Sequence, residues 1–169
     1  MMNSSIILLS GTPSGKKNFI NIAREDNWVW NLNIKDRLTE VAEKELGYKG
    51  ERDEAHYKFI SKFLSLLDST YNYQEKFLTE KIQKFLSEER EYFADSTGKK
   101  FHNYLMIIHG VTPKMVYFLK ENYGVFQIYV SEKKLNTVGG RFDNILYEDD
   151  EDFPEKCKNT LNILLGGNN

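Results

Sequence analysis

The sequence predicts an α/β fold with a mostly parallel sheet of four or five strands and helices on both faces. Three short apolar runs have the length of strands, at 6–9, 104–108 and 125–130. Segments with apolar residues at helical spacing follow or separate them. Because parallel strands need a crossover connection, this alternation favours a parallel sheet with right-handed crossovers.

Composition limits the functional classes. The 169 residues are expected to form one domain (1–169), and 40% hydrophobic residues supply its core. A formal net charge of −2 argues against nucleic-acid or membrane partners held by bulk charge. Cys157 is the only cysteine, so no intrachain disulfide can form and no cysteine-based metal cluster is available.

The sequence also favours a cytoplasmic protein. No apolar run approaches the roughly 18 residues of a membrane-spanning helix, and the first residues carry no basic region followed by a long apolar stretch. The three histidines, His56, His102 and His109, are scattered without the spacing of metal ligands. We therefore expect ordinary histidines and no metal-binding residues.

The first third of the chain contains two strand–helix pairs. The run 6–9 is continuous and apolar, as in a strand buried on both faces, and a helix follows it up to about Asp26. The segment 28–32 alternates large apolar residues with others, which is typical of a strand. An amphipathic helix is predicted over 34–46, with Asn at its N-cap and Gly after its last residue.

The middle of the chain has only helical patterns. Apolar residues recur at helical spacing in 54–68 and in 71–86, and the charged stretch 87–100 is predicted to be an exposed connection. Because the whole gap is too long for one crossover, we expect a helical subdomain at about 47–100 beside the sheet.

The last third returns to the alternation of strands and helices. Thr112 and Pro113 form an N-cap and first-turn pair, and Gly124 can end the helix that follows. The predicted elements are strand 104–108, helix 113–122, strand 125–130, a basic loop at 131–141, a short strand at 142–147 and a helix at 154–165.

The stretch after the first strand has the layout of a phosphate-binding loop. Strand, Gly-rich turn, Lys and helix follow each other in that order. Glycines let backbone N–H groups turn toward phosphate oxygens, and a helix N-terminus adds roughly half a positive charge. The candidate phosphate-binding residues are Gly11, Ser14, Gly15, Lys16, Lys17 and Asn18.

The match to G-x-x-x-x-G-K-[ST] is imperfect. Counted back from Gly15, the first glycine position falls on Ser10, and Lys17 stands where a Mg²⁺-binding Ser or Thr is usual. The alternative is an ordinary strand–turn–helix corner with a surface lysine.

Three stretches carry a resemblance to P-loop nucleoside monophosphate kinases, and more narrowly to the deoxynucleoside monophosphate kinase-like proteins of bacteria and phages. The first is the strand and loop ending at Lys16. The second joins Ile34-Lys-Asp-Arg-Leu38 to the charged turn at 45–54, which is similar to the family's Gly-, Lys- and Asp-rich turn. The third is the run of strands and helices over 104–165.

The resemblance implies a three-layer P-loop NTPase-like fold and phosphoryl transfer from ATP to a (deoxy)nucleoside monophosphate. It implies catalytic roles for Lys16 and Arg141, with the 131–141 loop as a short lid that also carries Lys133 and Lys134. Nucleotides are then the partners, and the loop residues bind ATP. Arg37 and Arg52 are the basic residues expected near the acceptor nucleotide.

Departures from the family pattern leave an alternative open. These kinases commonly follow the 104–108 strand with Asp and then Arg, where this chain has His109-Gly-Val-Thr112. Mg²⁺ prefers hard oxygen ligands, so its binding is possible but its usual ligands are missing. The alternatives are a degenerate relative that binds a nucleotide or protein partner without turnover, and a kinase-like protein for another small substrate.

Overall fold

A computed structural model gives the structure of residues 3–88, 90–135 and 137–166. It contains six α-helices and seven strands within those ranges. In chain order they are β1 (Asn3–Gly11), α1 (Pro13–Asp26), β2 (Trp28–Asn33), α2 (Ile34–Leu46), α3 (Glu54–Tyr71), α4 (Tyr73–Leu86), β3 (Phe93–Ala94), β4 (Lys100–Phe101), β5 (Asn103–His109), α5 (Pro113–Tyr123), β6 (Phe126–Ser131), β7 (Asn144–Tyr147) and α6 (Phe153–Leu164).

Five strands form one sheet, and every neighbouring pair in it is parallel. The strand order is β2-β5-β1-β6-β7, which places β1 at the centre. Helices cover both faces of the sheet. This is a three-layer α/β architecture consistent with a P-loop-like fold, as the sequence predicted.

The central strands are buried on both faces because their side chains alternate between two apolar clusters. In β1, Ile6 and Leu8 belong to the cluster shared with α2–α5. Ile7 and Leu9 belong to the cluster shared with α1 and α6. The continuous apolar run 6–9 was therefore interpreted correctly as a fully buried strand. No helix among the described residues is long and apolar enough to cross a membrane.

Several predicted boundaries differ from the structure. The first helix was expected to open at Gly15-Lys16, but α1 already begins at Pro13 because the Thr12 hydroxyl caps it by accepting from the Gly15 N–H. The second middle helix begins at Tyr73 rather than 71, because Asn72 adopts a left-handed conformation, φ 50°, between α3 and α4.

The segment 47–100 contains structure that the sequence did not predict. Its helices α3 and α4 pack against the sheet within the apolar cluster of that face. Its final part, expected to be an exposed connection, forms the antiparallel pair β3–β4. Phe93 of this pair stacks on Trp28 with ring centroids 4.9 Å apart. That contact depends on residues far apart in sequence, so no local pattern signals it.

The β5–α5 corner is held by a buried glutamine of α4. Gln74 is fully buried, and its Oε1 accepts from the Thr112 N–H at 3.0 Å. The Thr112 hydroxyl accepts from the Gln74 Nε2 group at 3.1 Å. Thr112 occupies the predicted N-cap position, but its side chain makes no capping bond. The helical layer thereby fixes the position of the loop that follows His109.

Candidate functional site

A cleft lies at the carboxyl edge of the sheet, where β5 and β1 are neighbours. The connection from β1 crosses one face toward β2, while the connection from β5 crosses the other face toward β6. In open α/β sheets, ligands bind at the carboxyl ends of strands where the connections diverge in this way. The topology therefore predicts a ligand site at this edge of the sheet.

The cleft has a volume of about 510 Å³, which is within the usual range for small-molecule sites. Its walls come from four chain segments: α1, the β2–α2 connection, α3 and the end of β5. Its lining residues are Pro13, Lys16, Lys17, Ile20, Asn21, Arg24, Asn31, Asn33, Lys35, Asp36, Tyr57, His109 and Gly110.

The cleft is basic. Four cationic side chains and one carboxylate line it, and that carboxylate, Asp36, is 3.8 Å from the guanidinium of Arg52 outside the lining. Lys16 is half-buried, and its pKa is lowered by burial and by repulsion from Lys35, against a smaller opposite effect of Asp36. Two ammonium groups that repel each other in a partly desolvated cleft favour an anionic ligand between them.

His109 forms the floor of the cleft at the end of β5. Its side chain is buried, with 8% of the residue exposed, and Nε2 is 2.9 Å from the Asn31 Oδ1 atom. The buried Nδ1 atom has no hydrogen-bond partner among the described residues. Burial, together with the charge of Lys16, lowers the pKa of His109 to about 4. The imidazole is therefore neutral at neutral pH.

Gly110 brings the β5 end close to the start of α2. It has φ 78°, and a Cβ atom there would lie 2.6 Å from the Asn33 Oδ1 atom. Asn33 caps α2 by accepting from the Lys35 N–H at 3.1 Å and also donates to Asp36 at 2.8 Å. A side chain at Gly110 would push this capped helix start away, so the glycine keeps the cleft narrow at its base.

The expected phosphate-binding loop is absent as an open loop. Only Thr12 separates β1 from α1, so Gly15 and Lys16 lie inside the first helical turn. The Thr12 N–H donates to the Val130 carbonyl at 2.9 Å, the Gly15 N–H to the Thr12 hydroxyl, and the Lys16 N–H to the Thr12 carbonyl. These amides are already satisfied and do not converge on a common anion position.

The two glycines of the motif have packing roles in the structure. Gly11 has φ 122°, and a Cβ atom there would lie 1.7 Å from the Val130 carbonyl oxygen. Gly15 is buried, and its Cβ position is 3.0 Å from Val130 atoms. Both glycines let α1 approach the end of β6. The corner therefore needs glycine for close contact rather than for phosphate binding.

Ser14 and Asn18 face away from the cleft, toward the end of β7. The Ser14 hydroxyl is 3.4 Å from the Glu148 Oε1 atom, and the Asn18 amide donates to the same oxygen. Lys16 and Lys17 point to the other side and line the cleft. The candidate residues that the sequence grouped as one loop are thus divided between two faces of α1.

The predicted arginines also lie apart. Arg37 is exposed and pairs with Glu40 at 3.0 Å, outside the cleft lining. Arg52 is near the cleft mouth through Asp36. Arg141 lines a separate groove of about 690 Å³ between α5 and the loop that precedes β7. Lys133 and Lys134 are exposed in the 131–141 loop, which was predicted to be a lid. Asn136 of this loop lies outside the described residues.

The residues present do not fit ATP with Mg²⁺ at the N-terminus of α1. Three backbone amides of this corner, those of Thr12, Gly15 and Lys16, are already bonded, and a carboxylate lies beside the first turn. Among the described residues, no group of three or more His, Cys, Asp or Glu side chains could hold a metal ion.

Sequence reasoning missed part of the cleft. His109 was expected to be an ordinary histidine, and Asn31, Asn33, Lys35 and Asp36 were not proposed as site residues. These residues all lie at or just after the carboxyl ends of strands. This shared location predicts a common site only when β2 and β5 are known to be neighbours, which is a property of the sheet order.

The lowered pKa of His109 predicts a pH-dependent stability. The unfolded state takes up a proton near pH 6.5, but the folded state resists it until about pH 4. The neutral His109 side chain therefore contributes fully to the free energy of unfolding above pH 6.5, and this contribution is lost as the pH falls toward 4. Between pH 7 and pH 5, the free energy of unfolding of the wild type should fall by about 2 kcal/mol more than that of His109→Gln.

Urea denaturation at the two pH values measures this difference. His102→Gln is the matched control, because His102 is exposed, and it should retain the pH dependence of the wild type. Parallel pH dependence of the wild type and His109→Gln would show that His109 is not held neutral by the fold.

No protein-family model matches the chain, and no curated protein sequence is significantly similar to it.

Proposed function

We propose that this protein is a divergent relative of the P-loop nucleoside monophosphate kinases that binds a nucleoside monophosphate in the basic cleft without transferring a phosphoryl group. The observation that carries the proposal is that Lys16 of α1 and Lys35 of α2 line the same cleft at the switch point of the sheet. A phosphate group between them would relieve their mutual repulsion.

The cleft chemistry suits the phosphate group of such a ligand. Lys17 and Arg24 add two further cations from α1 on the same wall as Lys16. Cationic side chains form charge-assisted hydrogen bonds with phosphate oxygens, and these are roughly twice as strong as neutral ones. Among the described residues that line the cleft, Asp36 is the only carboxylate, so the site has a clear excess of positive charge.

The remaining lining suits a nucleoside. Asn21, Asn31 and Asn33 offer amide donors and acceptors for sugar hydroxyls or base edges, and Tyr57 offers an aromatic ring at the rim. Ile20 adds an apolar surface on α1. A volume of about 510 Å³ accommodates a ligand of this size.

The geometry at α1 favours binding without turnover. Phosphoryl transfer depends on positioning and on cations around the donor phosphates. The amides of Thr12, Gly15 and Lys16 have intramolecular partners, and Arg141 lies in the groove beside α5 rather than in the cleft. Lys16 therefore has a binding role at the acceptor side and no donor phosphate to act on.

Isothermal titration calorimetry with the common ribo- and deoxyribonucleoside monophosphates tests the proposal. At least one of them should bind with a Kd below about 1 mM, and Lys58→Ala, on the exposed face of α3, should bind it equally well. Incubation of the same ligand with ATP and Mg²⁺ should release no ADP. Absence of binding by every nucleoside monophosphate would reject the proposal.

The second candidate function is ATP-dependent nucleoside monophosphate kinase activity. Its supporting observation is Lys16, which follows the central strand β1 and faces the cleft, as a catalytic lysine of a kinase would. ADP release that depends on a nucleoside monophosphate would establish this activity, with Lys16→Ala as the inactive control.

A further inference from the structure

The first turn of α1 already has an anion beside it, supplied by the chain itself. The Glu148 Oε1 atom accepts from the Asn18 amide and lies 3.4 Å from the Ser14 hydroxyl. The helix has no acidic residue of its own in its first turn. A helix N-terminus favours negative charge. Glu148, which is distant in sequence, supplies the negative charge that the first turn of α1 lacks.

The position of Glu148 is fixed by the sheet. Its backbone N–H donates to the Ser131 carbonyl at 2.9 Å, directly after the last paired residues of β6 and β7. Burial, and to a smaller extent the charge of Glu148, raises the pKa of the Cys157 thiol of α6 to about 12. The contacts of the Glu148 side chain with Ser14 and Asn18 hold it against α1.

Stability alone does not account for this arrangement. The Glu148 Oε2 atom is buried and has no hydrogen-bond partner among the described residues. A buried oxygen of a carboxylate without a partner costs free energy. An apolar side chain would avoid that cost, which points to a role for the charge.

We infer that Glu148 is a specificity-determining residue: its carboxylate occupies the place beside α1 where the phosphates of a nucleoside triphosphate would bind, and so excludes them. It stands at the start of the acidic run 148–152, whose like charge adds to the repulsion. Binding of a ligand with a single phosphate group in the cleft rests on the proposed function. The exclusion of triphosphates at α1 is independent of the proposed function.

Inorganic tripolyphosphate is a suitable probe, because it carries the charge of a nucleotide's phosphate chain without a base. In ¹⁵N–¹H spectra, it should leave the Ser14 amide and the Asn18 side-chain amide of the wild type unshifted. Glu148→Gln retains an acceptor oxygen but removes the charge, and it should bind tripolyphosphate at least tenfold more tightly, with shifts at Ser14 and Asn18.

Glu151→Gln is the matched control, because it removes the same charge from an exposed residue of the acidic run. It should change tripolyphosphate affinity less than twofold. Equal gains in Glu148→Gln and Glu151→Gln would overturn the inference, because bulk charge would then account for the effect. Tripolyphosphate shifts at Ser14 and Asn18 in the wild type would also overturn it, and this measurement needs no variant.

A nucleoside monophosphate serves as the second probe and separates the two proposals. Its affinity for the cleft should differ less than twofold between the wild type and Glu148→Gln. If no nucleoside monophosphate binds either protein but Glu148→Gln gains tripolyphosphate binding, the proposed function fails and the exclusion by Glu148 stands. If the monophosphate binds and Glu148→Gln gains no affinity for tripolyphosphate, the proposed function stands and the exclusion by Glu148 fails.

Discussion

Replacing Gly11 with alanine is expected to destabilise the protein by about 3 kcal/mol or more. Its φ of 122° is outside the range that a side chain readily adopts. In addition, the new Cβ atom would lie 1.7 Å from the Val130 carbonyl oxygen, which accepts the Thr12 N–H bond at this corner. Relief of the clash would move α1 away from β6 and break that bond.

Gly124→Ala is the matched control for this prediction. Gly124 ends α5 with φ 57°, and no atom of the described residues beyond its chain neighbours lies within 4 Å of the position of its Cβ. This substitution should therefore cost only the left-handed backbone conformation, about 1 kcal/mol. Urea denaturation of both variants gives the comparison. A Gly11→Ala protein as stable as Gly124→Ala would contradict the close approach of α1 to Val130.

The second large effect is expected on ligand binding. The double variant Lys16→Met, Lys35→Met removes two of the ammonium groups that line the cleft and repel each other. Each charge-assisted contact with phosphate is worth about 1.5–3 kcal/mol, so the affinity for a nucleoside monophosphate should fall about 100-fold or more. Calorimetric titration of the wild type and the variant measures the ratio.

The same variant should not lose stability. Burial and the charge of Lys35 lower the pKa of Lys16, which means that the folded state disfavours its charged form. Removal of the two repelling charges should leave the free energy of unfolding equal or higher, as expected for residues retained for binding.

The control pair Lys58→Met, Lys62→Met removes two lysines from the surface of α3, outside the cleft lining. It should leave the affinity within about threefold of the wild type. Equal loss of affinity in the two double variants would indicate general electrostatic attraction and would remove the support for the cleft as the binding site.

Local sequence patterns predicted most of the helices and strands, because each is encoded by neighbouring residues. Helix 34–46 was predicted to the residue, since its apolar spacing, its Asn33 cap and its Gly47 terminator all agree. The buried strand at 104–108 was predicted within one residue at each end. The β3–β4 pair was missed because two-residue strands have no period of their own.

The candidate site was predicted only in part. Lys16 and Lys17 were proposed from their motif and do line the cleft. Lys35 and His109 lie on its other walls and were missed as site residues, because no spacing in the sequence connects them to Lys16. Their common location depends on β2 pairing with β5 and on β5 pairing with β1.

The sequence by itself determined the α/β class, the alternation of strands and helices, and the basic residues that follow the first strand. These features depend on side-chain periodicity and on capping residues, which act over a few positions. The tertiary structure decided that a one-residue corner replaces the phosphate loop and that Glu148 lies beside Asn18, 130 positions away. Such contacts arise from strand order and helix packing, which bring together residues that no local sequence pattern connects.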